Sequence, residues 1–116
     1  MERVTRHTIL VEGTELEAVR AKSAAVFGNR HLAEVVAAAA VLAPNVGDQL
    51  TVRMLANRTG LTDSVVRPIV KRLVDADLLQ PRPQQRPRGA NYHEVRSGDG
   101  PWQALVHLCA LLGSSS

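Results

Sequence analysis

The side chains between residues 62 and 72 have the types and spacing needed to bind an anionic polymer. Arg67 and Lys71 are four residues apart, so in a helix they project from the same side. Guanidinium and ammonium groups donate hydrogen bonds to phosphate oxygens and to the acceptor edges of bases. The candidate contacts in this segment are Thr62, Ser64, Val65, Arg67, Lys71 and Arg72. They predict contact with nucleic acid, and the alternative is a solvated surface without a partner.

A second basic group lies in residues 80–89, which are dense in proline and arginine. Prolines do not fit a central strand but suit an exposed hairpin tip, and strand-forming residues flank the run at 78–79 and 92–95. Arg82, Arg86 and Arg88 are therefore predicted to hold phosphates or to enter a minor groove. The alternative is a hairpin tip that does not touch DNA.

Two short helices joined by a tight turn are predicted to position these side chains. The first runs from about Thr51 to Asn57, and Gly60 supplies the turn because glycine adopts positive φ without steric cost. Thr62 or Ser64 caps the second helix. One face of that helix is predicted to be core, with apolar side chains at helical spacing: Val66, Ile69, Val70 and Leu73. Pro68 should bend this helix, unless Ser64 is the cap and the proline falls near its start.

The remaining sequence predicts three more helices and one short strand. Thr14 and Glu17 form a capping box that opens a helix ending at Phe27. Asn29 is expected to cap the next helix, over residues 31–43, and residues 49–51 to add a strand beside the hairpin. A last helix starts at Pro101. The predicted organisation is an N-terminal arm over residues 1–13, a domain over 14–96, and a terminal helix and tail over 97–116. The arm has no helical period, so it is expected to be disordered, to form an edge strand or to pack on a partner subunit.

This order of elements resembles the winged helix-turn-helix of bacterial ArsR-like and MarR-like regulators, in which a glycine usually stands at the position of Asp77. The segment from Phe27 to Leu32, the alanine-rich helix after it, Pro68 and the pair Pro101–Trp102 resemble an actinobacterial ArsR-like group. The resemblance covers roughly residues 14–112. It implies a mainly α-helical protein with a small β-hairpin wing, which binds double-stranded DNA as a dimeric transcription regulator, most often a repressor.

Composition and charge are consistent with that expectation. The 116 residues suffice for one domain, and 3% aromatic content implies a core of Ala, Val and Leu. Residues 49–96 carry nine basic and four acidic side chains, so the positive charge concentrates on the predicted reading helix and hairpin. A single cysteine fits a reducing cytoplasm, and no apolar run reaches the ~20 residues of a membrane span.

The last helix is predicted to form a subunit interface, because its apolar arc is wider than one neighbouring helix covers. The residues assigned to a two-fold homodimer are Trp102, Leu105, Val106, Leu108, Cys109 and Leu112, with Leu111 beside them. The helix from Thr14 to Phe27 is the expected neighbour in that interface.

Other functions find little support in the residues. The four histidines and the lone Cys109 show no ligand spacing, so neither a metal nor another cofactor is expected. Cys109 as a redox switch is an alternative to Cys109 as plain core. No catalytic set is visible, and the sequence does not identify a small-molecule effector. Two classes remain: a DNA-binding regulator, and a winged-helix module that binds an acidic protein partner.

Overall fold

Five helices and a small antiparallel sheet make up the described part of the chain. The computed structural model describes residues 2–45, 47–82, 92–95 and 100–113, with backbone only over residues 2–14. The elements in order are α1 (Glu2–Phe27), α2 (Leu32–Leu42), β1 (Gln49–Leu50), α3 (Val52–Thr59), α4 (Asp63–Asp75), β2 (Leu79–Pro81), β3 (His93–Val95) and α5 (Pro101–Leu112). The prediction of a mainly helical protein with a small hairpin is confirmed.

Helix α2 lies at the centre of the molecule and packs against α1, α3, α4 and α5. Its Val35, Val36 and Ala39 are completely buried, and Ala33 is 1% exposed. Small alanine side chains let neighbouring helices approach closely, so an alanine-rich helix can serve several neighbours at once. No single helix of the described chain is long and apolar enough to cross a membrane; α1 and α2 pass that test only as a pair bent by 105°.

The joint between α1 and α2 is held by polar side chains. Gly28 ends α1 with a φ of +69°. The completely buried Ser23 donates its hydroxyl to the Asn29 carbonyl at 2.6 Å and accepts the Ala33 amide at 3.0 Å. Asn29 Oδ1 accepts the His31 amide at 2.9 Å, although the residue at the cap position of α2 is His31 rather than Asn29 as predicted. The bend is therefore fixed by side chains of α1 and of the connecting segment, which bind backbone groups at the start of α2.

Helix α1 begins at Glu2, so the expectation that residues 1–13 are not helical is wrong from Glu2 onward. The capping box at Thr14 lies inside the helix instead of opening it. A capping pattern is a local signal, and upstream residues that continue the backbone ladder override it. Gly13 is tolerated within the helix at a cost of about 1 kcal/mol relative to alanine.

The sheet has the strand order β1-β3-β2, and both pairings are antiparallel. Leu79 pairs with Val95 and Leu50 with His93, and the buried Leu50, Leu79 and Val95 form its core side. Pro81 ends the edge strand β2, where a missing amide costs least. The predicted hairpin and the added short strand are confirmed, whereas the hairpin tip lies outside the described residues.

Candidate nucleic-acid interface

Helices α3 and α4 are joined by the tight turn that the sequence predicts. Thr51 Oγ1 accepts the Met54 amide at 3.1 Å and so caps α3. Gly60 ends α3 with a φ of +78°. Across the turn, Arg53 Nε lies 3.3 Å from Asp63 Oδ2 and ties α3 to the first turn of α4. The two helices are thus fixed by a backbone turn and by an ion pair.

Helix α4 begins at Asp63 with Thr62 at the cap position, so the alternative of Ser64 as cap is wrong. The Thr62 hydroxyl makes no capping bond and instead lies 3.0 Å from the Ser64 hydroxyl. Pro68 consequently lies inside the helix, one turn beyond its start. It leaves the Ser64 carbonyl without the amide that normally faces it four residues on.

The division of α4 into a buried and an exposed face follows the prediction. Val66 and Ile69 are completely buried, and Val70 and Leu73 are 4% and 2% exposed. The polar candidates are all exposed: Thr62, Ser64, Arg67, Lys71 and Arg72. Val65, the apolar member of the predicted set, is half-buried. Burial of one face leaves the basic face accessible to a partner.

A groove of about 340 Å³ separates the exposed face of α4 from the sheet. Arg67 and Lys71 line it from α4, and Arg82 lines it from the chain after β2. The other lining residues are Val52, Val70, Val74, Pro81, Tyr92 and His93. The structure therefore brings together two parts of the predicted basic surface that lie far apart in sequence.

The cations around this groove differ in their partners. Lys71 Nζ lies 3.2 Å from Asp75 Oδ2, one turn along α4, and Arg82 Nη1 lies 3.5 Å from Glu94 Oε1. Arg67 makes no ion pair with any residue that the structure describes. Exposed ion pairs of this kind stabilise a protein by about 0–1 kcal/mol. Lys71 and Arg82 therefore lose little when a phosphate replaces the carboxylate of Asp75 or Glu94.

Arg72, the third basic candidate on α4, contacts another part of the molecule. Its Nη1 donates a hydrogen bond of 2.9 Å to the Phe27 carbonyl at the end of α1. It does not line the groove. Arg86 and Arg88 of the predicted hairpin tip lie outside the described residues.

Tyr92, His93 and Val52 line the groove but were not singled out from the sequence. Tyr92 is 43% exposed, whereas Trp102 is buried and Phe27 is partly buried. The signal available in the sequence is its position, since Tyr92 is an aromatic residue shortly after the arginine-rich run of residues 80–89. His93 and Val52 reach the groove because β2 packs against α4, while β3 pairs with β2 and with β1, the strand that precedes Val52.

The predicted interface helix α5 is divided between the core and the surface. Trp102 and Cys109 are 2% and 3% exposed, so this chain already covers both. Leu105, Val106 and Leu112 are partly buried, and only Leu108 and Leu111 are well exposed, at 38% and 55%. Burial raises the pKa of the Cys109 thiol to about 11, which keeps it protonated and slow to react at neutral pH.

No group of three or more His, Cys, Asp or Glu side chains in the described ranges is arranged to hold a metal ion. Comparison with known proteins gives no match to a family model, to a curated sequence or to a solved structure.

Proposed function

We propose that this protein is a winged helix-turn-helix DNA-binding regulator that acts as a cytoplasmic homodimer, in the manner of a transcriptional repressor. In this assignment α3 and α4 form the helix-turn-helix, α4 enters the major groove, and the β2–β3 hairpin is the wing. The observation that carries the proposal is the groove between α4 and the sheet, where Arg67, Lys71 and Arg82 meet. Cations from two elements on one open surface suit an extended polyanion.

The geometry supports separate tasks for these cations. Arg67 and Lys71 lie one turn apart on the exposed face of a helix whose opposite face is core, as a helix that reads base edges requires. Arg82 lies at the start of the hairpin tip, where a phosphate contact fixes the orientation of the protein without reading sequence. Substitutions in α4 should therefore change specificity, and substitutions in the hairpin should change affinity for all sequences alike.

Selection of bound fragments from random duplex DNA tests the proposal. An enriched inverted repeat would support both sequence-specific binding and two-fold symmetry, because two recognition helices of a dimer lie ~34 Å apart on one face of DNA. Binding that shows no sequence preference, together with tight binding to an acidic protein, would instead favour an interaction module.

Titrations with the selected site then separate the roles of the cations. Arg67→Ala should reduce discrimination against a mismatched site by about 1–3 kcal/mol, the value of a base contact. Arg82→Ala should make the slope of log affinity against log salt shallower by about 0.9, the value of one phosphate contact. Arg30→Ala is the matched control, since Arg30 is also an exposed arginine but pairs with Glu17 of α1 at 2.8 Å. If Arg67→Ala, Arg82→Ala and Arg30→Ala all lost the same DNA affinity, the assignment of Arg67 and Arg82 as DNA contacts would be contradicted.

A further inference from the structure

The cations of α4 face two different sides of the helix. At about 100° per residue, Arg72 lies about 100° around the axis from Lys71 and about 140° from Arg67. Arg67 and Lys71 line the groove beside the sheet, and Arg72 does not. A helix that presents Arg67 and Lys71 to DNA therefore presents Arg72 sideways, toward the rest of the molecule.

The Arg72 side chain ends at the C-terminus of α1. Its Nη1 donates to the Phe27 carbonyl at 2.9 Å, and Phe27 is the last residue of that helix. The last carbonyls of a helix have no intrahelical donor, and they carry the negative end of the helix dipole. Gly28 follows and donates its amide to the Ala24 carbonyl at 2.9 Å. A guanidinium is thus a well-matched partner for the Phe27 carbonyl.

This hydrogen bond joins two elements that share few other contacts. Residues 27 and 72 are far apart in sequence, and α1 packs mainly on α2 and α5, whereas α4 packs mainly on α3 and β2. The bond therefore acts at a point where rotation of α4 relative to α1 is otherwise resisted mainly through α2, which packs against both helices.

We propose that Arg72 is a positioning residue that holds the DNA-reading helix α4 in a fixed orientation to α1, and that it is not itself a DNA contact. The inference rests on the proposed function, since the orientation of α4 matters only if α4 reads DNA. Arg72 then contributes to affinity through the geometry of Arg67 and Lys71 and not by neutralising a phosphate.

The test compares Arg72→Met with Arg72→Lys in titrations of the selected duplex at several salt concentrations. The lysine ammonium reaches nearly as far as the guanidinium and keeps an N–H donor for the Phe27 carbonyl, whereas methionine has no donor. We expect Arg72→Met to lose about two- to tenfold in affinity, the equivalent of one hydrogen bond, with an unchanged salt slope. Arg72→Lys should restore most of that loss.

Two results would overturn the assignment. If Arg72→Met made the salt slope shallower by about 0.9 while Arg72→Lys kept the slope of the wild type, Arg72 would be a phosphate contact. If Arg72→Met bound DNA as tightly as the wild type, Arg72 would have no role in positioning. Failure of the proposed function looks different, because the wild type itself would then show no preference for any duplex. Thermal unfolding of each variant in the same buffer shows that the proteins compared are folded.

Discussion

Asp77 adopts a backbone conformation that most side chains avoid. Its φ is +65°, and no other described residue except glycine has a positive φ. The amides of Asp77 and Leu78 donate to the carbonyls of Val74 and Leu73, both at 2.9 Å, which is the Schellman pattern that closes a helix. The left-handed residue in this pattern is usually glycine. The sequence resemblance expects glycine at this position for the same reason, and aspartate is among the few other residues that tolerate it.

We expect Asp77→Gly to be more stable than Asp77→Ala by about 1–2 kcal/mol, because alanine pays the steric cost of positive φ and glycine does not. Both variants lack the aspartate side chain, so the comparison isolates the backbone. Urea unfolding gives the two free energies. The control is the adjacent Ala76→Gly, whose φ of −84° is ordinary, and there glycine should destabilise by about 0.5–1 kcal/mol. If glycine were more stable than alanine at both position 76 and position 77, this account of Asp77 would be contradicted.

At the scale of elements, the joint between α1 and α2 contains a half-buried charged cluster. Arg20 forms a two-pronged contact with Glu34, from Nε at 2.7 Å and from Nη2 at 3.1 Å. His31 Nδ1 lies 2.6 Å from the same carboxylate. Burial raises the pKa of Glu34, but the hydrogen bonds from Arg20 and His31 outweigh it, and the pKa is lowered below 4.5. The carboxylate is therefore charged throughout the physiological range and holds the bend.

The lowered pKa of Glu34 makes part of the stability depend on pH. The free energy of unfolding that it contributes is complete above pH 4.5, the ordinary value, and is lost as the pH falls through the lower folded value. We expect Glu34→Gln to cost about 1–3 kcal/mol at pH 7, because it removes the charge that satisfies Arg20. It should also flatten the decline in stability below pH 4.5.

Glu17→Gln is the control for that measurement, since Glu17 contacts Arg20 and Arg30 but its side chain is 61% exposed. Arg30 lowers the pKa of Glu17, yet solvent screens an exposed carboxylate, so stability at pH 7 should change little. Denaturant unfolding across pH 3 to 7 gives the free energy of unfolding of both variants. If Glu17→Gln and Glu34→Gln lost the same stability, burial of Glu34 would not be the source of the strength of its contact with Arg20.

Local patterns in the sequence predict much of this fold and less of the interface. The period of Val66, Ile69, Val70 and Leu73 and the turn at Gly60 depend on nearby residues alone, so both were predictable. The start of α1 was not, because a capping pattern does not reveal whether the helix upstream continues. The same limit applies to the groove and to the direction of Arg72, since both arise where segments distant in sequence pack together.

At the scale of the whole molecule, the exposed apolar residues bear on self-association. Leu108 and Leu111 of α5 are 38% and 55% exposed, and α5 packs beside α1, where Leu16 is 38% exposed. Trp102 and Cys109 serve the core of the chain itself. A second copy placed on α5 would thus contact its outer residues and not its inner ones. A homodimer interface on α5 should therefore be tested at its outer side, which carries Leu108 and Leu111.

If the proposed dimer forms through α5, we expect Leu108→Asp combined with Leu111→Asp to convert it to monomers without unfolding the chain, since both side chains project from the surface. A charge buried in an interface without a partner costs several kcal/mol, enough to separate the subunits at micromolar concentration. Light scattering gives the mass, and a titration with the inverted repeat should show binding lost in parallel, because a monomer reads only one half-site. Val41→Asp is the control, as Val41 is 58% exposed on α2, outside the proposed surface. A wild type that is monomeric at these concentrations, yet binds the repeat tightly, would refute the dimer.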